Sequence, residues 1–199
     1  MRINLKINAV ALAVALTVGG AYAGSPGAQW VNETPSDQVP VAGQIDTAFS
    51  PYGRSEALVL KIINTASRAV RLSAYSFTSV RVTRALLDAK SRGVDVRVVV
   101  DHRQNILGDR SGKARAVLNL LSNAGIPTRT ISYYDKSHDK FIVSDAMHVQ
   151  TGSFNYSAAA AQRNSENVMV VWGNPGVAAS YLKHWQTLYE RGRDYKSTY

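Results

Sequence analysis

One histidine, one lysine and one asparagine in this 199-residue chain stand at offsets that let a single phosphate meet an imidazole, an ammonium and a carboxamide. They lie in His138-Asp139-Lys140-Phe141-Ile142-Val143-Ser144-Asp145, followed after six residues by Gly152-Ser153-Phe154-Asn155. Phosphodiesters resist attack because their anionic oxygens repel nucleophiles, so a site that cleaves them needs positive charge and aimed donors around those oxygens. Lys140 and Asn155 supply both, which leaves His138 free to attack phosphorus as a neutral imidazole. The scheme needs no cofactor and no metal, and the chain has no cysteine, no H-x-x-x-H pair and no carboxylate cluster around these residues.

A strand and a hairpin must position them. Alternate side chains of a strand share a face, so His138 and Lys140 point one way and Asp139 the other. Phe141, Ile142 and Val143 make a buried β-type run, and Asp145-Ala146 is the turn before a second strand, Met147 to Thr151. That hairpin returns Gly152 to Asn155 towards His138. Gly152 allows close approach of backbone and substrate, Ser153 is expected to cap the helix that follows, and Asn155 offers an amide donor to a phosphate oxygen. Asp145, in the turn, has a structural or supporting role rather than direct contact.

The pattern H-x-K, four residues, D, six residues, G-S-x-N resembles the signature of the phospholipase D superfamily, in its branch of small single-motif bacterial endonucleases. Six residue types match at six offsets, and a chance match of all six in a chain this long is on the order of one in a million. The resemblance implies a covalent phosphohistidine intermediate that water later hydrolyses. It also marks Glu166, in Asn164-Ser165-Glu166-Asn167, as the acidic partner that orients the imidazole. The expected catalytic set is therefore His138, Lys140, Asn155, Glu166, Asp145 and Ser153, with Lys140, Asn155 and Gly152 binding substrate.

The leaving alkoxide needs a proton, and a second histidine is the natural acid near neutral pH. His102, His148 and His184 lie outside the motif: His102 reads as a polar loop residue that could line the site, His148 as structural or exposed in the outgoing strand, and His184 as helix surface. Superfamily members with two motif copies build one site between them, and this chain has one copy and no internal repeat. The simplest solution is a homodimer that places two copies of His138 on opposite sides of one phosphate.

The amino terminus reads as a secretory leader of bacterial type: Arg2 and Lys6, an apolar stretch from Ala9 to Val18, and Ala21-Tyr22-Ala23 as the cleavage pattern. Residues 1–23 are then a signal peptide, 24–41 an extended arm rich in Pro, Gly and Ser, and 42–199 one catalytic domain. The location implied is periplasmic or secreted, with no stable membrane insertion after cleavage. An uncleaved anchor is the alternative. The formal net charge of +9 falls only to about +7 without the leader, an excess that favours a polyanionic partner. Asn155-Tyr156-Ser157 also matches a glycosylation sequon, which the role of Asn155 and the bacterial leader argue against.

The remaining pattern alternates helices and strands: helix 54–66, strand 69–75, helix 80–91, strand 94–100, a helix capped by Ser111 and running to Asn123, an edge strand 126–131 containing Pro127, the hairpin, a short helix 157–162, strand 168–172 and helix 177–191. This order gives an α/β sandwich, a mixed β-sheet flanked by helices on both faces. Three functions fit it. A metal-independent, sequence-nonselective endonuclease on DNA, and RNA as well, comes first. The same chemistry on phospholipid is second, with Trp30, Tyr133 and Tyr134 as its modest interfacial candidates. A non-catalytic nucleic-acid-binding dimer is third.

Overall fold

A computed structural model of the chain describes residues 43–199 except Gly53, so the expected leader and arm lie outside the described residues. The strands are β1 (Ile45–Ser50), β2 (Ala69–Ala74), β3 (Asp95–Asp101), β4 (Thr128–Ile131), β5 (Lys140–Ser144), β6 (His148–Gly152), β7 (Glu166–Val171) and β8 (Arg193–Asp194). The helices are α1 (Ser55–Asn64), α2 (Val80–Ser91), α3 (Lys113–Asn123), α4 (Ala158–Gln162) and α5 (Pro175–Arg191). One mixed sheet runs β1-β7-β6-β5-β2-β3-β4-β8. Its centre is parallel, β2 with β3 and β3 with β4, while β5 returns antiparallel on β2 and leads through the hairpin to β6 and β7.

Alternation along the strands divides the core between the two faces. Val96, Val98 and Val100 of β3 and Ile142 of β5 pack with Leu58, Val59 and Ile62 of α1, Leu86 of α2 and Leu118 of α3. Val99, Phe141, Val143 and Val149 point the other way, onto Ala178, Trp185 and Leu188 of α5. The expected sandwich with helices on both faces is thus the observed architecture. Among the described residues no helix is long and apolar enough to cross a membrane.

Four local expectations change. β1 and β8 have no counterpart in the sequence reading, and β8 covers β4, so β4 is the last strand but one. Pro127 sits just ahead of β4, where its carbonyl accepts the Val98 N–H. Ser111 does not cap α3: Gly112 holds that position at φ 71°, and Asp109 accepts the Arg115 N–H at 2.9 Å. The loop after β3 is a single wide turn, 103–107, closed by Gly108 N–H on the Arg103 carbonyl five residues back.

Candidate active site

The motif residues gather at the carboxyl ends of β2 and β3, the usual place for a ligand in an α/β sheet. Antiparallel β5 starts there, with Lys140 beside Ala74, and β6 ends there at Gly152. Lys140 is the first residue of β5, and His138 precedes the strand instead of belonging to it. The two side chains therefore sit at different depths. His138 is exposed, whereas Lys140 is only 5% accessible. Lys140 Nζ donates to the His138 carbonyl at 2.8 Å and lies 5.0 Å from the centre of the Tyr75 ring. The same ring meets the His138 imidazole edge-on at 4.4 Å, so Tyr75 contacts both residues.

The electrostatics follow from this packing. Desolvation is the main cause that holds the His138 pKa below its ordinary value, with Lys140 and Lys136 adding to it and Asp139 and Asp101 opposing. Lys140 is also lowered, again chiefly by burial, against the attraction of Asp139 and Glu166. The arrangement keeps a neutral imidazole at the surface over a cation that has no carboxylate in contact among the described residues. Burying an ammonium this way is costly unless an anion completes it.

Asn155 lies in the loop after β6, three residues beyond the end of the strand that pairs with β5. Its carboxamide has no hydrogen bond within the described residues, and Oδ1 is buried. Its Nδ2 is the atom able to donate to a phosphate oxygen, whereas Oδ1 can only accept. Ser153 does not cap α4, since Ser157 does so by accepting the Ala160 N–H. Ser153 Oγ donates to Glu166 Oε2 at 2.5 Å and accepts the Asn167 N–H at 3.1 Å, tying β6 to β7. Glu166 takes its second hydrogen bond from Asn164 Nδ2 at 2.9 Å. Within one chain Glu166 is thus held by Ser153 and Asn164 and not by the imidazole. Gly152, at φ 152°, runs so close to the Asn167 carbonyl that a Cβ would overlap its oxygen.

Asp145 does not join this cluster. It lies at the far end of β5, with Asp145 and Ala146 both at φ 57° in the turn, and its carboxylate accepts the backbone N–H groups of Ser67, Arg68 and Ala69 and the Ser67 hydroxyl. Burial would raise its pKa, but these donors outweigh burial and leave it lowered. The other histidines are engaged elsewhere. His148 Nδ1 accepts the Gly173 N–H, His102 meets Thr130 Oγ1 at 3.1 Å, and His184 on α5 meets Asp139 at 3.1 Å.

Sequence reasoning missed the residues that hold the His138 loop. Buried Asp101 accepts the Ser137 N–H at 2.8 Å and the Gln104 N–H at 2.6 Å. Buried Asn105 accepts the Phe77 N–H and donates to the carbonyls of Tyr75 and Asp101. Their signal was present as an Asp and an Asn four residues apart at the end of a buried strand, overshadowed by the histidine between them. Among the described residues no group of three His, Asp or Glu side chains is placed to hold a metal.

Comparison with known proteins gives the family of the chain and of its fold. Residues 59–189 match the family model described as cardiolipin synthase, PLD-like domain. The chain is 35% identical over 142 residues to a phospholipase D from Rickettsia bellii, covering 71% of this chain and 67% of that protein. It is 30% identical over 145 residues to a mitochondrial cardiolipin hydrolase from Xenopus laevis, covering 73% of this chain and 62% of that one. The crystal structure of Nuc, a phospholipase D family member from Salmonella typhimurium, superposes with a TM-score of 0.74 at 44% identity, over 77% of this chain and 99% of that one.

Proposed function

Since this chain belongs to the phospholipase D superfamily, and is by that membership a phosphodiester hydrolase, we propose that it is a metal-independent endonuclease acting on DNA, and on RNA as well, outside the cytoplasm. The observation that carries the reading is Lys140, a cation buried at the carboxyl ends of β2 and β3 whose hydrogen-bond acceptor among the described residues is a carbonyl oxygen. A phosphate seated there receives the ammonium and the free carboxamide of Asn155 while His138 faces phosphorus from the exposed side. Attack forms a P–N bond to His138 and expels the alkoxide, which takes a proton from a general acid; water then cleaves the P–N bond and regenerates the imidazole.

The acid is His138 of a second copy of the chain, which makes the active species a homodimer. His102, His148 and His184 are each already hydrogen-bonded within the chain, to Thr130, to the Gly173 N–H and to Asp139. An exposed apolar face supports the docking of that copy: Ile45 and Phe49 of β1 share a side with Met169, the partner of Thr47, and Phe49 pairs with Asn167 next to Glu166. The excess of 23 Lys and Arg over 14 Asp and Glu favours a polyanion over a neutral lipid. Phospholipid is the second reading, favoured by the relatives named for it.

The test is parallel incubation of the purified protein with plasmid DNA, RNA and phosphatidylcholine vesicles in millimolar EDTA. Cleavage of nucleic acid that persists in chelator and disappears in His138→Ala is expected. Hydrolysis of the lipid alone, or activity that EDTA removes and a divalent cation restores, would refute the reading.

A further inference from the structure

Five residues before His138, the chain leaving β4 presents Tyr133, 65% accessible to solvent. The ring is held in place. The guanidinium of Arg191, the last residue of α5, lies 4.1 Å from its centroid, and Tyr134 meets it at 4.9 Å and 83°. Arg191 is fixed in turn by donating to the Tyr134 hydroxyl at 2.9 Å. Tyr133 is therefore braced by a cation and a second ring while most of its surface stays open to water, with little side-chain freedom left to lose when a flat ring lies on it.

The surroundings select the kind of ring. Arg103 pairs loosely with Asp135 at 3.8 Å and Lys136 follows in the same loop, so Tyr133 is an aromatic step among charges rather than part of an apolar surface fit for acyl chains. Cations that follow a backbone and an aromatic face that accepts a base are the two components of single-strand binding. Five residues span at most about 18 Å between Cα atoms, so the backbone at Tyr133 lies within about five stacked nucleotides of the backbone at His138. Bases inside a duplex are already stacked and cannot reach it.

We propose that Tyr133, backed by Arg191, is a stacking platform for an unpaired base of a single-stranded polynucleotide, a site that rests on the nuclease reading above and gives the enzyme a preference for single strands. Initial rates of the full chain and of its Tyr133→Ala and Tyr133→Trp variants on a single-stranded oligonucleotide, and on the same backbone made abasic, test it. The Ala variant should lose about tenfold in kcat/KM on the normal strand, the Trp variant should retain wild-type efficiency, and the abasic strand should be cut equally by all three. An Ala variant as efficient as wild type on the normal strand, or equally impaired on both strands, overturns the platform while leaving the nuclease intact. Wild-type protein that cuts neither strand but hydrolyses phosphatidylcholine vesicles overturns the nuclease reading and the platform together.

Discussion

Asp145→Asn isolates what the motif's carboxylate contributes. At φ 57° asparagine is as well tolerated as aspartate, so the backbone term cancels. The carboxylate places one oxygen on the N–H groups of Arg68 and Ala69, both at 2.8 Å, and the other on the N–H and hydroxyl of Ser67, both at 2.9 Å. A carboxamide has one acceptor oxygen, so one pair of donors loses its partner and the other loses the help of the charge. Charge-assisted bonds are worth roughly 1.5–3 kcal/mol each and neutral ones about 1. Because the turn is partly open to water, which can replace some of the loss, the expected cost is about 2–3 kcal/mol. That is a drop of roughly 5–10 °C in Tm for a domain of this size. The sign with pH is fixed by the lowered pKa: the wild-type advantage is complete above the ordinary value of 3.8 and vanishes as pH falls through the folded value below it. Turnover per folded molecule should stay within about twofold, since five strand residues put Asp145 roughly 17 Å from Lys140. Thermal melts from pH 7 to pH 3 with parallel activity assays decide it. A variant that melts within 1 °C of wild type at pH 7, or a gap that does not narrow as pH falls below 3.8, would refute the account.

Gly152→Ala should cost about 3 kcal/mol or more, because its Cβ overlaps the Asn167 carbonyl and its backbone is strained for any other residue; denaturant melts showing less than about 1 kcal/mol would contradict this. Asp101→Ala leaves the buried N–H of Ser137 and the half-buried N–H of Gln104 without acceptors, so stability should fall by about 2–3 kcal/mol and turnover per folded molecule by at least about tenfold, measured on protein verified as folded. The lowered pKa of His138 sets the acid limb of kcat/KM below the ordinary 6.5, since the nucleophile must be unprotonated; a limb above that value would show that another group controls it. Mixing His138→Ala chains with wild type should give heterodimers nearly dead for turnover, and a fully active monomer by sedimentation would exclude the shared site.

Features set by local rules were legible in the sequence, and those set by distant partners were not. α2 was legible to the residue because Ser79 caps it through the Val82 N–H and Gly93 follows it at φ 89°. The β5–β6 hairpin followed from a buried apolar run, a turn and a return. β1 escaped because its Ile45 and Phe49 face solvent, so its pattern does not mark a buried face. The partners of Glu166 and the position of His138 ahead of its strand depend on Ser153 and Asp101, contacts across 13 and 36 residues that no local pattern reports. Types and spacing marked His138, Lys140 and Asn155 because the chemistry restricts them; Tyr75 and Asn105 carry no such restriction.

Apolar packing alone cannot hold this site. The two cores fix the strands, but the chemistry sits where strands end and backbone polar groups have no ladder to join. Each end is closed by one polar side chain: Asp101 below Ser137, Asn105 across Tyr75 and Phe77, Ser153 between Glu166 and Asn167. Directional bonds of this kind set position to a fraction of an ångström, which burial does not. Lys140 makes that position matter. The residue is only 5% accessible, so a phosphate displaced from it would leave the charge uncompensated, and an imidazole displaced from it would lose the desolvation that keeps it neutral. The clamps around the site and the charge within it therefore form one device, and loosening a clamp should lower the rate without removing any group that touches substrate.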